Sequence, residues 1–318
     1  MDVTDGQTNR RALLSLADLR ADDIVAMTDL AYRYGQAPRE FAGRLSGVKV
    51  GLVFTAPSTR TRTSFWSAAR TLGADVLPMG ATDLQLSTGE TWADTGAVLA
   101  EYLDVVVVRT NGPQHEMVDL ARQVPATINA LSYHEHPTQA VADLCAMRDH
   151  FGDTGHLHLA YLGEVNNTAR SLALLAATLP HMRLDLYGPE GTGFTVDELA
   201  ALNAIRGVGA VRQFDTVPAA PEPVDVVYTT RWQSMGAPRP EADWPSRFAP
   251  FAVTKDLMKQ FSGSTEAVFM HDLPAVRDQE VESDVLDGVG VTSLVANQAR
   301  HKASAAAAAL LWSTGESS

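Results

Sequence analysis

The chain has 318 residues, 45% of them hydrophobic and 20% charged, a composition that excludes a disordered or fibrous polymer and suits one large or two ordinary domains. It carries 38 acidic against 25 basic residues, a formal net charge of −13, which repels nucleic-acid backbones and anionic membranes but still permits a local cationic pocket. The single cysteine, Cys145, can make neither an intramolecular disulfide nor a cysteine-rich zinc site, and among Val141, Leu144 and Met147 it reads as a packed thiol.

Residues 48–54 are apolar and β-branched, a predicted strand, and a helix is expected over 58–72. A short strand at 76–79 follows, and apolar residues at Trp92, Leu99, Tyr102 and Leu103 predict the next helix. Residues 104–109 read Asp-Val-Val-Val-Val-Arg, apolar on both faces as a buried parallel strand requires. Helix 115–124, strand 127–131 and a helix from Pro137 to about His150 complete the run. The alternation then restarts, with strands expected at 158–162, 184–187, 225–229 and 267–270 and helices at 170–179 and 196–205. The three prolines in 218–223 mark a loop, and residues 296–312 form an alanine-rich helix. The pattern predicts an α/β protein with two doubly wound parallel-sheet domains, over 1–150 and 151–290, and a C-terminal helix in 291–318 packing back on the first. The polar N-terminus is no signal peptide, and no run reaches the roughly 18 apolar residues of a membrane helix, so a cytoplasmic protein is expected.

In open parallel sheets ligands bind beyond the carboxyl ends of the strands, so the residues just after each strand are the informative ones. After the first comes Ser58-Thr59-Arg60-Thr61-Arg62-Thr63-Ser64 at a helix start, with more hydroxyls and guanidinium groups than a helix cap needs. A helix N-terminus offers unpaired N–H groups and partial positive charge, so this segment suits a phosphate dianion. The valine strand delivers Arg109 at its end, and His136, before Pro137 at a helix start, can donate to an oxygen gaining negative charge.

Taken in order, Ser58-Thr-Arg-Thr-Arg62, Gly89-Glu90-Thr91 with Asp94-Thr95, Arg109, His136-Pro-Thr-Gln139 and His271-Asp-Leu-Pro274 resemble the aspartate/ornithine carbamoyltransferase family across roughly residues 48–310. The resemblance implies transfer of a carbamoyl group from carbamoyl phosphate to an amine, without metal, cofactor or covalent intermediate. It implies that Ser58, Thr59, Arg60 and Thr61 hold the phosphate. Thr61, Arg109 and His136 would polarise the carbonyl oxygen, while Gln139 and the backbone carbonyl of Leu273 take the carbamoyl nitrogen. Arg60, Thr61, Arg109 and His136 are thus the expected catalytic group, and Arg62 is expected to make structural contacts. The loop 82–89 has Thr88 where aspartate-type members place a lysine and Gln85 where ornithine-type members place a glutamine. The resemblance further implies a homotrimer in which the Gln85 loop reaches a neighbouring subunit's site.

The acceptor signals are mixed. Thr230-Arg231-Trp232-Gln233 is similar to the aspartate-type pattern, whose arginine and glutamine hold a dicarboxylate, yet Ser234-Met235-Gly236 follows as in ornithine-type members. The aspartate that ornithine-type members use for the acceptor's amino group aligns with Thr230. Asn166 and Asn167 look ornithine-type, where an asparagine holds the α-carboxylate. The ornithine-type His-Cys-Leu-Pro stands here with Asp272 in place of the cysteine. Asp272 could face an ammonium or accept its proton, or else point to solvent or pair with Arg277. Arg300 could replace the arginine of the ornithine-type C-terminal pattern. The expected acceptor is an amino acid with a carboxylate and an amine, ornithine-like or a shorter diamino acid such as 2,3-diaminopropionate. An aspartate acceptor and a catalytically silent binding subunit are the alternatives. A dinucleotide-binding dehydrogenase would need Gly-x-Gly-x-x-Gly after a strand, and a serine hydrolase Gly-x-Ser-x-Gly; neither is present.

Overall fold

The computed structural model describes residues 11–317 except 125, 153, 155, 207–208 and 234–243. The described residues form two compact units, one comprising those up to Cys145 together with those from Arg300 onward, the other Ala146–Ala299.

Unit 1 is built on a four-stranded parallel sheet of β1 (Lys49–Phe54), β2 (Asp75–Gly80), β3 (Val105–Arg109) and β4 (Thr127–Leu131), in the order β2-β1-β3-β4. The helices are α1 (Ala21–Gln36), α2 (Arg60–Thr71), α3 (Trp92–Ala100), α4 (Gln114–Ala121) and α5 (Pro137–Phe151), which continues into the second unit. Strand alternation splits the core in two. Val50, Leu52, Val105 and Val107 pack with Met27, Ala68, Ala142 and Leu310 on one face; Val53, Val106 and Val108 pack with Trp92, Met117 and Leu120 on the other. Each of the four valines of β3 is fully buried, worth on the order of 1.5–3 kcal/mol apiece. That burial holds the strand, and therefore Arg109 at its end, in a fixed place.

Unit 2 has five parallel strands in the order β7-β6-β5-β8-β9. They are β5 (His158–Leu162), β6 (Arg183–Tyr187), β7 (Val211–Phe214), β8 (Val226–Thr229) and β9 (Val268–His271). Its helices are α6 (Asn167–Thr178), α7 (Val196–Ala204), α8 (Trp244–Phe248), α9 (Lys255–Phe261) and α10 (Ser283–Leu286). The last helix, α11 (Val295–Thr314), begins in unit 2 and ends in unit 1, where Ala305–Trp312 join the core.

Several elements differ from the sequence reading. Helix α2 starts at Arg60, two residues later than expected, with Thr59 at its N-cap position, and α6 starts at Asn167, three residues earlier, because the Asn166 side chain caps it. Tyr102 is solvent-exposed beyond the end of α3 rather than on its buried face. Helices α1, α8, α9 and α10 and strand β7 were not anticipated, although α1 buries Ile24, Met27, Leu30, Ala31 and Tyr34 at helical spacing.

Candidate active site

In each sheet the strand order reverses direction beside the first strand, between β1 and β3 in unit 1 and between β5 and β8 in unit 2. Such switch points open a crevice at the strand carboxyl ends, because the two following loops diverge.

In the unit 1 crevice, Arg109 is buried at the end of β3 and donates from Nη1 to Thr61 Oγ1, 3.3 Å away, on α2. The backbone N–H and the hydroxyl of Thr55 both donate to the Arg109 carbonyl, at 3.0 and 3.2 Å, tying the exit of β1 to that of β3. Thr59, the N-cap of α2, makes no side-chain capping bond, so the first N–H groups of α2 are left for a ligand or water. Ser58 and Arg60 are half-buried at this start and Thr59 is exposed. Arg62 turns away, lying 5.2 Å over the Phe54 ring and donating to the Phe54 carbonyl at 3.5 Å.

His136 leaves β4 through a turn closed by the Ser132 N–H on the Glu135 carbonyl, 2.8 Å. Glu135 accepts from the Leu16 N–H at 3.1 Å and from the Ser15 hydroxyl, which fixes the turn to the N-terminal segment. Proline at the first position of α5 suits a helix start and keeps His136 extended. Burial, and then the charges of Lys302 and Arg109, hold the His136 imidazole well below the usual histidine range, so it is neutral near pH 7. Gln139 is buried one turn on; its Nε2 donates to Asp143 Oδ1 at 2.7 Å and its Oε1 accepts from the Lys302 ammonium. Lys302 and Asp143, both buried, were not anticipated from the sequence. Lys302 sits in an alanine-rich helix where a lone lysine looks like solubilising charge. Gln85 lies on a short helical turn between β2 and α3, exposed, accepting from the Thr88 hydroxyl through its carbonyl at 2.7 Å and its Oε1 at 3.4 Å.

In the unit 2 crevice the central group is Asp272, just past β9. Its Oδ2 accepts from Thr168 Oγ1 at 2.8 Å and its Oδ1 from Thr230 Oγ1 at 2.7 Å. The alternatives of a solvent-facing carboxylate or a pair with Arg277 are overturned: Asp272 is only 15% exposed, and Arg277 instead pairs with Asp287 through two 2.7 Å bonds. Thr168 was not singled out from sequence, because a threonine in the first turn of a helix reads as ordinary capping chemistry.

Asn166 Oδ1 accepts from the Thr168 and Ala169 N–H groups at 3.0 and 3.1 Å, capping α6. Asn167 opens the first turn. Gly163, with φ of 133°, makes the sharp exit from β5, a conformation a side chain would oppose; a Cβ there would also meet the Trp232 ring at 3.4 Å. Arg231 is half-buried and its Nε has no hydrogen-bond partner among the described residues; Gln233 is half-buried beside it. Ser234 and Met235, also expected here, lie outside the described residues. Burial, then the charges of Asp272 and Glu164, push the Tyr161 hydroxyl well up, so it remains a donor, to the Glu164 carbonyl at 3.0 Å and Asn166 Oδ1 at 3.4 Å.

Leu273 follows with a left-handed φ of 59° and precedes a cis proline. A branched side chain rarely adopts that φ unless its surroundings enforce it. They do so here: the Leu273 N–H donates to His271 Nδ1 at 2.8 Å, and His271 Nε2 lies 3.3 Å from buried Glu280. Among the expected carbamoyl-phosphate ligands Leu273 belongs to unit 2, and among the expected acceptor ligands Arg300 belongs to unit 1.

One group of metal-ligating type gathers among the described residues, His158, Asp185 and Glu222, at the opposite, amino-terminal end of sheet 2. Arg212 already donates to both oxygens of Asp185, at 2.7 and 2.6 Å, and to Glu222 at 2.8 Å, while Arg183 donates to Glu222 at 2.5 Å. Guanidinium groups therefore occupy the place a cation would take.

Two all-parallel α/β units, each with polar residues at its switch point, place the chain among the two-unit α/β proteins whose strand carboxyl ends suit ligand binding. Comparison with known proteins narrows the class. The carbamoyl-phosphate-binding domain of aspartate/ornithine carbamoyltransferases matches residues 11–149, and the aspartate/ornithine-binding domain of the same family matches 156–313. The ornithine carbamoyltransferase of Symbiobacterium thermophilum is 38% identical over 290 residues, 87% of this chain and 90% of its own length. That of a Parafrankia species is 37% identical over 302 residues, 93% of each chain. The solved ornithine carbamoyltransferase of Pyrococcus furiosus superposes with a TM-score of 0.87 at 33% identity, covering 96% of this chain and 97% of its own. The chain belongs to the aspartate/ornithine carbamoyltransferase family and is a carbamoyltransferase. No described helix is long and apolar enough to cross a membrane.

Proposed function

We propose that the chain transfers the carbamoyl group of carbamoyl phosphate to the side-chain amine of an ornithine-like diamino acid, or of a shorter one such as 2,3-diaminopropionate. Relatives of this chain are named for ornithine. The observation that carries the reading is the Asp272 carboxylate, held by two threonine hydroxyls at the unit 2 switch point. Ornithine-type members place their acceptor-binding aspartate where Thr230 stands, and here Thr230 donates to the carboxylate at 272. One negative charge is thus kept in the crevice but moved to a neighbouring strand end. A cationic amine is the ligand such a fixed carboxylate suits.

In this reading Ser58, Thr59, Arg60, Thr61 and the open start of α2 grip the phosphate. Arg109 and neutral His136 donate to the carbonyl oxygen, and Gln139 and the Leu273 carbonyl orient the carbamoyl nitrogen. Asn166, Asn167, Thr230, Arg231, Gln233, Ser234, Met235 and Arg300 are assigned to the acceptor, with Arg231 or an asparagine on its carboxylate. The acceptor's ammonium first gives up a proton, to Asp272 or to solvent; the neutral amine then attacks the carbonyl carbon, and the C=O π pair moves to oxygen. The oxyanion then collapses with cleavage of the C–O bond to phosphate, and the new nitrogen gives up a proton. Donors fixed in advance stabilise the oxyanion without reorganising, and holding both substrates supplies much of the remaining acceleration. Gln85, exposed on its own chain, is assigned to a neighbouring subunit's site in a homotrimer.

Phosphate release from carbamoyl phosphate against ornithine, aspartate, putrescine, N-acetylornithine, 2,3-diaminopropionate and 2,4-diaminobutyrate tests the proposal. Turnover with one or more diamino acids supports it. Turnover with aspartate alone would favour a second reading, in which Arg231, whose buried Nε has no hydrogen-bond partner among the described residues, holds a dicarboxylate. Silence across the panel would refute both.

A further inference from the structure

Lys302 is the feature of unit 1 that the reaction as described above does not use. It sits on α11, buried, with its ammonium on Gln139 Oε1. The opposite end of the same carboxamide donates to the buried Asp143 carboxylate at 2.7 Å. A buried ammonium and a buried carboxylate each cost several kcal/mol of lost hydration unless they are well paired. Here the two are bridged by a dipole aligned between them: cation, carbonyl oxygen, amide N–H, anion.

A carboxamide has two orientations of nearly identical shape, so packing alone does not choose between them. Charge does. Turning the Gln139 amide over would set its NH2 against an ammonium and its oxygen against a carboxylate. We propose that Lys302 is a positioning residue, which with Asp143 locks the Gln139 carboxamide in one orientation and so selects a donor substrate that carries an N–H. The inference rests on the assignment of this crevice to carbamoyl phosphate. The Gln139 oxygen retains a second lone pair after accepting from Lys302. That lone pair can accept from the NH2 of a carbamoyl group but finds no partner in the methyl of an acetyl group. A site built to hydrogen-bond a substrate N–H rejects the analogue that lacks it, because its own polar group is then left unmatched.

Lys302 acts on the neighbouring imidazole as well. The charges set against His136 are Lys302 from α11 and Arg109 from β3, both disfavouring protonation, while the adjoining Glu135 is engaged by Ser15 and Leu16. Removing the ammonium therefore lets His136 take a proton at higher pH.

The test is calorimetric binding of carbamoyl phosphate and acetyl phosphate to the full chain without any amine, for the wild type and for Lys302→Met, Lys302→Arg and Asp143→Asn. The wild type is expected to prefer carbamoyl phosphate. K302M should lose about 10-fold or more of that preference, with acetyl phosphate affinity little changed, and the acidic limb of carbamoyl phosphate binding should move to higher pH. K302R should retain part of the preference, and D143N, which removes one of the two charges that orient the amide and leaves the other, should lose less of it than K302M. Melting temperatures identify any variant that fails to fold, and either Lys302→Met or Asp143→Asn alone suffices for the comparison. An unchanged preference and an unmoved acidic limb in folded K302M would overturn the role of Lys302 while leaving the carbamoyl phosphate site standing. A wild type that binds neither ligand would overturn both.

Discussion

Replacing Asp272 by asparagine removes one charge and almost no volume, so its effect isolates the electrostatic part of acceptor recognition. Two unit charges 4 Å apart interact by ~4 kcal/mol at an effective dielectric near 20 and by ~1 kcal/mol in bulk water. The Asp272 side chain is 15% exposed, between these limits, so about 2–3 kcal/mol is expected. That is a fall of about 30- to 150-fold in kcat/KM for a cationic diamino acid. Asparagine offers one acceptor oxygen where Thr168 and Thr230 now find two. One hydroxyl must then turn to another partner, at about 1 kcal/mol of stability, a change visible in the melting temperature. The assay is phosphate release at saturating carbamoyl phosphate with ornithine or 2,3-diaminopropionate varied, followed by the reverse titration. The loss should fall on the amine, with the KM for carbamoyl phosphate nearly constant. An unchanged kcat/KM for the diamino acid, or a loss confined to carbamoyl phosphate, would refute the assignment of Asp272 to the acceptor ammonium.

Thr61→Val removes the hydroxyl that Arg109 Nη1 contacts, and should lower kcat by about 10²- to 10³-fold if Thr61 and Arg109 together face the oxyanion; steady-state kinetics at saturating substrates reads this directly. Asp185→Asn leaves Arg212 and His158 facing a neutral group. Because Arg212 is 41% exposed, the low end of the buried-pair range applies, about 3 kcal/mol, measured as a lowered urea midpoint. Burial raises the Asp185 pKa, but bonds from His158 and Arg212 outweigh it and hold the carboxyl below its usual value. The Asp185 contribution is therefore present above about pH 4 and lost as pH falls through the lower, folded-state pKa, and the Asn variant should lack that part of the acid dependence. His136, held neutral by burial, contributes in the same direction at higher pH: stability at pH 7 is lost as pH falls below about 6.5, where the unfolded chain takes a proton the folded one resists, and a His136→Asn variant should flatten that slope in pH-dependent melts. Mixing inactive Gln85→Ala with inactive Arg109→Met should restore a fraction of activity through subunits that pair an intact loop with an intact crevice; no recovery after subunit exchange would refute the shared site.

Strand and helix alternation was readable because parallel strands buried on both faces are apolar throughout. The four valines before Arg109 show this best: their burial fixes the strand, and the strand fixes the arginine. His136 was legible for a similarly local reason, since proline at a helix start holds the preceding residue's backbone extended at the strand exit. What stayed hidden depends on partners distant in sequence. Thr168 and Asp272 are 104 residues apart, and Gln139 and Lys302 are 163 apart. No spacing rule links such pairs, and each alone carries an ordinary meaning. Thr230 and Asp272 look unrelated in the chain until both are seen at neighbouring strand ends, joined by a 2.7 Å hydrogen bond. Helix α1 carried a readable stripe of apolar residues, whereas β7, with only four residues of mixed polarity, had too short a period to register.

Residues Ala305–Ala309 are buried within unit 1 beside Leu13, Phe65 and Val107, although some 150 residues of unit 2 intervene before them in the chain. Translation therefore delivers the pieces of unit 1 out of order. At about 5–20 residues per second, residues up to Cys145 wait roughly 8–30 s for the helix that fills their interior, while unit 2, residues 146–299, emerges as one uninterrupted stretch. During that interval the apolar face awaiting α11 is open to solvent on the nascent chain. The usual order of synthesis-coupled folding, amino-terminal part first, should be reversed here, with the second unit acquiring protease resistance on the ribosome before the first.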